Sequence, residues 1–127
     1  MRNYIKEYQK ITTVLNNVTG NKTEILRLSS KNADDDYVFT NVDNVDYLIP
    51  KQIALQVSGK LTSLNISGKI SEDAADLPLG IINMQTLETV DSIVDAGIYM
   101  IPCEEIEQIT LNITGASNST VIAKLMF

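Results

Sequence analysis

Acidic side chains are the residues of this sequence that could most directly do chemistry. Asp34, Asp35 and Asp36 are consecutive, and Asp43 and Asp46 follow shortly after them. Carboxylate oxygens are the ligands that calcium prefers, but the spacing lacks the glycine and the final bidentate glutamate of the helix-loop-helix calcium site. We therefore predict a solvated acidic loop here, with calcium binding as the alternative.

The chain contains no histidine, which is the commonest general base and metal ligand. Its absence excludes catalysis by a Ser-His-Asp or Cys-His arrangement. Paired carboxylates could still hydrolyse glycosides, but sugar sites usually also need aromatic platforms, and the sequence has no Trp and only two Phe. We predict that the protein is not an enzyme and has no catalytic, cofactor-binding or metal-binding residues.

The single cysteine, Cys103, lies between Ile101 and Ile106 in the sequence, which favours a buried thiol. A reactive thiol needs a low pKa, whereas the neighbouring charges of Glu104 and Glu105 raise it. We predict an unreactive side chain. Together with Glu107, these two carboxylates must face water or a basic partner.

The formal net charge is −6, and the ten Lys and Arg residues are scattered along the chain. Proteins that bind the phosphate backbone of nucleic acids need clustered cations. No apolar run approaches the length of a membrane span, and residues 1–7 contain no signal-peptide core. We predict no nucleic-acid or membrane partner, and folding in a cytoplasm.

Alternating apolar residues dominate the second half of the chain and must position any site there. Successive residues of a strand point to opposite faces, so burial of one face makes every second residue apolar. This period is therefore typical of a pleated strand. The alternation is clearest in Ile109, Leu111 and Ile113, and then in Val121, Ala123, Leu125 and Phe127. We predict two strands separated by the Gly-Ala-Ser-Asn-Ser stretch at 115–119, the second paired into a sheet.

In the middle of the chain, short segments of alternating apolar residues are separated by Gly and Asp clusters, which is typical of an antiparallel all-β domain. Strands are predicted at 53–57 and 64–70, with Leu64, Ile66 and Ile70 on one face. Residues 71–80 are polar, contain Pro and Gly, and predict a loop. Residues 81–90 predict two short strands or one bulged strand, and the turn at 95–97 leads into another strand.

The first fifty residues have two interpretations. Tyr4, Tyr8, Ile11, Leu15 and Val18 recur at helical spacing. However, residues 11–14 are β-branched and residues 16–21 favour a turn. We therefore favour an extended arm with a strand at 10–15, followed by a strand at 23–29, over a partly helical arm.

The predicted organisation is an N-terminal arm or first strand over residues 1–20 and a single antiparallel β-sandwich domain, jelly-roll or immunoglobulin-like, over residues 21–127. The amphipathic aromatic residues are candidates for interface contacts. They are Tyr4, Tyr8, Tyr37, Tyr47 and Tyr99. Tyr4 and Tyr8, on the arm, are the best of these candidates.

The order of segments resembles that of small β-sandwich structural proteins of tailed bacteriophages, which include head-decoration and head-fibre-like proteins. The likeness covers residues 12–127. It rests on strands ending at Gly59 and Gly68, an acidic loop with Asp73, the Asp-Ala-Gly-Ile-Tyr stretch at 95–99 and the Ile-Thr-Leu-Asn-Ile strand at 109–113. That family often has Asp-Gly followed by Trp in the loop, where this chain has Asp-Ala-Ala and no Trp.

The resemblance implies a non-enzymatic virion component that folds in the host bacterial cytoplasm. It also implies self-assembly into a homo-oligomer, such as a trimer, and docking on a phage capsid or tail protein. The alternative is a carbohydrate- or receptor-binding β-sandwich of a phage tail or bacterial surface protein. In that case the Asp-rich loops would hold calcium or sugar hydroxyls.

Overall fold

The computed structural model of the protein describes residues 9–28 and 51–126. Within these ranges the regular secondary structure is all β, which confirms the all-β part of the predicted fold class. The strands are β1 (Gln9–Arg27), β2 (Gln52–Lys60), β3 (Ser63–Lys69), β4 (Leu77–Pro78), β5 (Ile81–Asn83), β6 (Glu88–Val90), β7 (Gly97–Pro102) and β8 (Gln108–Met126).

Strand β8 is the centre of one antiparallel sheet. Its whole length pairs with β1 along one edge. Along the other edge, residues 108–114 pair with β3 and residues 117–126 pair with β2. The sheet continues from β2 through β7 and β5 to β6, and from β3 to β4. It therefore has a β2 half and a β3 half that share β8, and it curls into a half-barrel.

The two long strands bend together where the two halves meet. Asn17 and Gly20 in β1 have φ values of 51° and 95°, and Gly115 and Asn118 in β8 have 64° and 53°. Glycine and asparagine tolerate this left-handed conformation better than other residues. The pairing of β1 with β8 changes register four times between Thr13 and Lys22, with the extra residue on β1 in the first two shifts and on β8 in the last two. These bulges let both strands turn without being interrupted.

Side chains take up backbone donors that the bulges leave without ladder partners. The backbone N–H of Gly115 donates to Oδ1 of Asn21 at 2.9 Å, and that of Asn17 donates to Oγ1 of Thr120 at 3.1 Å. The short polar residues at 16–21 and 115–119 thus stabilise a bend in two paired strands.

Strand β2 approaches β8 closely at this bend. Gly59 has a φ of 86°, and a Cβ atom added to it would lie 2.8 Å from Cα of Ser119. Ser119 is fully buried, and its hydroxyl donates a hydrogen bond of 2.5 Å to the carbonyl oxygen of Lys60. A buried hydroxyl needs such a partner, so this bond ties β2 to β8.

The core lies inside the curl, because alternate residues of each strand point there. Leu64 of β3 also exchanges two backbone hydrogen bonds with Ile93, of 2.7 and 3.0 Å, which connects the core to the segment before β7. The large side chains that are almost completely buried include Leu15, Leu26, Ile53, Leu55, Leu64, Ile81, Ile93, Ile101, Ile109, Leu111 and Ile113.

The N-terminal region differs from the prediction. The predicted strand at 10–15 and residues 23–27 of the predicted strand at 23–29 are parts of one strand, β1, and the predicted turn at 16–21 is its bulged bend. Residues 9–20 are extended, so the helical alternative is wrong for the described part of the arm. The predicted boundary between residues 20 and 21 falls inside β1.

The C-terminal region differs in the same way, because the two strands predicted around 115–119 are the single strand β8. The described strands form one curled sheet, where the sequence predicted a sandwich. Ile70 was predicted to lie on the face of Leu64 and Ile66, but it follows the end of β3 and is 64% exposed.

Two predictions for the middle of the chain can also be compared with the structure. The predicted loop at 71–80 contains the two-residue strand β4, which pairs with β3 at the margin of the sheet. An edge strand tolerates a proline such as Pro78. The segment 81–90 forms two short strands, β5 and β6, which was one of its two predicted forms. No helix in the described ranges is long and apolar enough to cross a bilayer.

Candidate interaction surface

The acidic residues at 34–36, 43 and 46 lie outside the described residues. Glu104 and Glu105 are exposed in the turn after β7, and Glu107 is half-buried. Within residues 9–28 and 51–126, no three Asp, Glu or Cys side chains lie close enough to hold a metal ion.

Cys103 is buried, in agreement with the sequence prediction. Its backbone N–H donates to the carbonyl oxygen of Lys51 at 2.9 Å, which holds the end of β7 against the start of β2. Burial raises the pKa of the thiol to about 12 because a buried thiolate loses its hydration. The thiol is therefore protonated at neutral pH.

Tyr99 is the one candidate tyrosine within the described residues, and it is a core residue. Its side chain is 4% exposed, and its hydroxyl donates a 2.8 Å hydrogen bond to the carbonyl oxygen of Asp95. Burial, and then the negative charge of Asp95, raise the pKa of Tyr99. The side chain fixes the turn at 95–97 and offers no contact area to a partner. Tyr4, Tyr8, Tyr37 and Tyr47 lie outside the described residues.

An apolar surface covers the outer side of the β2 half of the sheet. We call it the Met/Ile face, and it consists of Ile11, Ala54, Ile82, Met84, Ile98, Met100, Ile122 and Met126. In β7 and β8 these residues alternate with buried core residues, so they point away from the core. Three members are well exposed to solvent: Ile11 at 65%, Ile98 at 52% and Met84 at 39%.

The strand register joins these side chains into rows across the sheet. Met100 pairs with Ile82 on one side and with Ala54 on the other. The next row across the sheet contains Ile98 of β7, Gln56 of β2 and Ile122 of β8. Directly paired side chains lie within contact distance, so Ile82, Met100 and Ala54 form a continuous apolar row over three strands. In the other directions polar side chains interrupt the rows, with Gln56 between Ile98 and Ile122. The Met/Ile face is therefore spread over five strands, with a few polar residues among its members.

The outer side of the β3 half is mostly polar, although it belongs to the same sheet; Ile25, which pairs with Thr110, is an exposed apolar residue in its rows. Its rows contain Thr and Asn residues, and Oγ1 of Thr23 donates to Oδ1 of Asn112 at 3.0 Å. We call this surface the Thr/Asn face, and it consists of Thr23, Asn65, Ser67, Thr110, Asn112 and Thr114. Both faces lie on the outer side of one sheet, yet they differ in polarity. Position on the outer side therefore does not by itself explain why the Met/Ile face is apolar.

The Met/Ile face carries one charged side chain, Lys124. Lys124 pairs with Ala54 on one side and with Ile11 on the other, so it lies next to the outermost strand, β1. The other polar positions of these rows carry neutral side chains such as Gln52, Gln56 and Thr13. No Asp or Glu occupies a position in the rows of this face, although the chain carries 16 acidic residues.

A shallow groove of about 340 Å³ lies beside the Thr/Asn face. Asn65, Ser67 and Asp91 contribute polar groups to it, and Ile66, Pro78 and Leu79 contribute most of the rest of its surface. The groove could bind a small polar group, but among these residues it presents a single carboxylate.

Sequence analysis did not identify the Met/Ile face. The signal was present, because Ile122 and Met126 lie between the buried positions of β8, and Ile98 and Met100 alternate with those of β7. Such segments are apolar on both faces. A strand with two apolar faces is typical of a sheet that is covered on both sides.

Comparison with known proteins gives a likeness in structure alone, since no protein family model and no curated sequence matches the chain. SPBc2 prophage-derived protein YomS superimposes with a TM-score of 0.66 at 9% sequence identity, over 93% of this chain and 91% of that protein. PBSX exported protein XepA superimposes with a TM-score of 0.70 at 13% identity, over 94% of this chain but 38% of that protein. The chain thus has a fold that also occurs in two phage-derived proteins.

Proposed function

We propose that the protein is a non-enzymatic bacteriophage structural protein that acts through contact with other protein chains. The observation that carries the proposal is the Met/Ile face. The largest apolar patch on a monomeric protein is often functional, and large patches mark contact surfaces. A surface with three methionines and four isoleucines is suited to protein contact, because methionine adapts its shape to a partner.

The phage assignment is supported by the fold, which this chain shares with YomS and XepA. Within that assignment we propose an accessory component of the virion, such as a head-decoration or head-fibre protein that docks on a capsid or tail protein. Such a component would fold in the host cytoplasm before it joins the particle. The small number of candidate chemical groups among the described residues also favours a contact role.

Association with phage particles tests this proposal. Particles from cells that carry the gene would be purified on a density gradient and analysed by mass spectrometry. We expect the chain in the particle fraction in a fixed ratio to the capsid protein. A chain that remains in the lysate, with particles of unchanged protein content, would contradict the proposal.

The second candidate function is a carbohydrate- or receptor-binding module, and the groove beside the Thr/Asn face favours it. Asn65, Ser67 and Asp91 could form hydrogen bonds to sugar hydroxyls there. A glycan array separates the two functions. Sugar binding that is lost in Asp91→Ala would favour this module, whereas an absence of sugar binding leaves the structural role as the better proposal.

A further inference from the structure

We propose that the Met/Ile face is covered by the same face of a second copy of this chain. This inference deepens the proposed function and rests on it, because it names the partner of the surface that carries the function. The two sheets would pack face to face as the layers of a β-sandwich do, roughly 10 Å apart. In this arrangement the second layer is supplied by the partner.

The different sizes of the side chains in the Met/Ile face suit such packing. Ala54 is the smallest member and lies near the middle, on β2, with Met100 beside it on β7 and Lys124 on β8. A small side chain between larger ones leaves a hollow. A methionine or isoleucine from a second sheet can enter this hollow, as side chains of facing sheets interdigitate.

The area of the face is sufficient for a pair. The outer surface of the β2 half comprises the Met/Ile face and the polar side chains in its rows, such as Gln52, Gln56 and Lys124. Five strands roughly 4.8 Å apart, with about three alternate residues roughly 6.8 Å apart along them, give this surface an area on the order of 500 Å². Two copies would together bury on the order of 1,000 Å², which is about where specific interfaces begin. The pair is therefore expected to depend on protein concentration.

The distribution of charge permits the same contact. Two copies with a net charge of −6 each repel one another. The Met/Ile face has no acidic residue in its rows, so two copies can meet there without bringing carboxylates together. The rows of the Thr/Asn face also lack Asp and Glu, so apolar character is what distinguishes the Met/Ile face as the contact surface. Its one cation, Lys124, lies beside β1, and a lysine can bury its stem while its ammonium group reaches water.

The experiment measures the mass of the full chain in solution by light scattering. One chain has a mass of 14.0 kDa, so a pair has 2 × 14.0 = 28 kDa. At about 100 µM, a contact with a Kd in the low micromolar range populates the pair almost completely. We expect a mean mass close to that of a pair for the wild-type chain under these conditions.

The variant Ile122→Lys places a charge in the Met/Ile face, and Thr110→Lys is its matched control. Both residues are half-buried and point outward from β8, but Thr110 belongs to the Thr/Asn face. We expect Ile122→Lys to have the mass of one chain and Thr110→Lys to keep the wild-type mass. Ile98→Ser, on β7, removes an exposed apolar side chain without adding charge and serves as a second variant if Ile122→Lys does not fold by circular dichroism.

A wild-type mass of 14.0 kDa at this concentration would overturn the inference, and so would a folded Ile122→Lys or Ile98→Ser variant that keeps the wild-type mass. The particle experiment distinguishes this failure from failure of the proposed function. A single chain that still purifies with particles contradicts the pair and leaves the function in place. A pair that is absent from particles contradicts the function alone.

Discussion

The hydroxyl of Ser119 in β8 donates a 2.5 Å hydrogen bond to the carbonyl oxygen of Lys60 at the end of β2. Ser119 is fully buried and lies at the bend where the two halves of the sheet meet. The bond is thus placed where the regular ladder between these strands is interrupted. It therefore connects the end of β2 to β8 at the bend.

Removing this hydroxyl should destabilise the protein. In Ser119→Ala the carbonyl oxygen of Lys60 loses its partner, which costs about 1–3 kcal/mol for a buried polar group. Urea unfolding would measure the loss in the free energy of unfolding. Ser117→Ala, at an exposed position of the same strand, is the control and should change it by less than about 0.5 kcal/mol. Equal effects of the two substitutions would show that the hydrogen bond contributes nothing.

Gly59→Ala should lower the stability more than Gly80→Ala. An alanine at position 59 would be strained at a φ of 86° and would crowd the backbone at Ser119, whereas position 80 has open space around it. We expect a loss of more than about 1 kcal/mol for Gly59→Ala and a change within about 0.5 kcal/mol for Gly80→Ala. Thermal unfolding would compare the two variants. A neutral Gly59→Ala would mean that the close approach of β2 to β8 is absent in solution.

The stability should fall at alkaline pH because of Cys103. Its thiol has a pKa of about 12 in the folded protein, against the ordinary value of 9.0. The folded state thus keeps a proton that the unfolded state loses above pH 9, so this contribution is complete below pH 9 and is lost as the pH rises toward 12. Urea unfolding between pH 8 and about pH 11 measures the slope.

Cys103→Val isolates this contribution, because it removes the titrating group and keeps an apolar side chain. We expect a flatter dependence of the free energy of unfolding on pH in the variant, by up to about 1.4 kcal/mol per pH unit. Parallel curves for the variant and the wild-type chain would indicate that the thiol titrates normally and is accessible to water.

Val121 and Ile122 are neighbours in β8 whose substitution should have different results. Val121 is fully buried, so Val121→Ala should cost about 1–3 kcal/mol of stability at any protein concentration. Ile122 points outward, so Ile122→Ala should have a smaller effect in dilute solution and a larger one at a concentration where copies associate. Unfolding curves at two protein concentrations measure the difference. An Ile122→Ala effect that is large and independent of concentration would place its side chain in the core.

The buried faces of the strands could be predicted from the sequence because the period of two is local. Ile109, Leu111 and Ile113 are buried as their alternation indicates. The continuity of β1 and β8 could not be predicted. Asn and Gly adopt positive φ in turns and in bulges alike. Asn17 and Gly115 therefore indicated turns between separate strands, although the strands continue through them. Whether such a residue lies in a turn or in a bulge depends on the partner strand, which is distant in sequence.

The alternation shows that some strands have two apolar faces, but it does not show which face is left uncovered, so the Met/Ile face was not assigned from the sequence. Residues such as Ile122 and Met100 are apolar, and burial in the same chain is the ordinary explanation of an apolar residue. Only the sheet register shows that these side chains point away from the core. The residues that the sequence analysis selected for their chemistry behave differently: Cys103 and Tyr99 are buried, and Glu104 and Glu105 are exposed in a turn.

Strand β8 is the common neighbour of β1, β2 and β3, and none of these three pairs with another of the three in the described residues. A nascent chain that ends before residue 108 therefore has three strands that lack their shared partner. Residues 108–126 must leave the ribosome before β1, β2 and β3 can be joined in one sheet. Because both halves share β8, we expect hydrogen exchange to detect an opening of β8 that exposes the backbone amides of β1, β2 and β3 together.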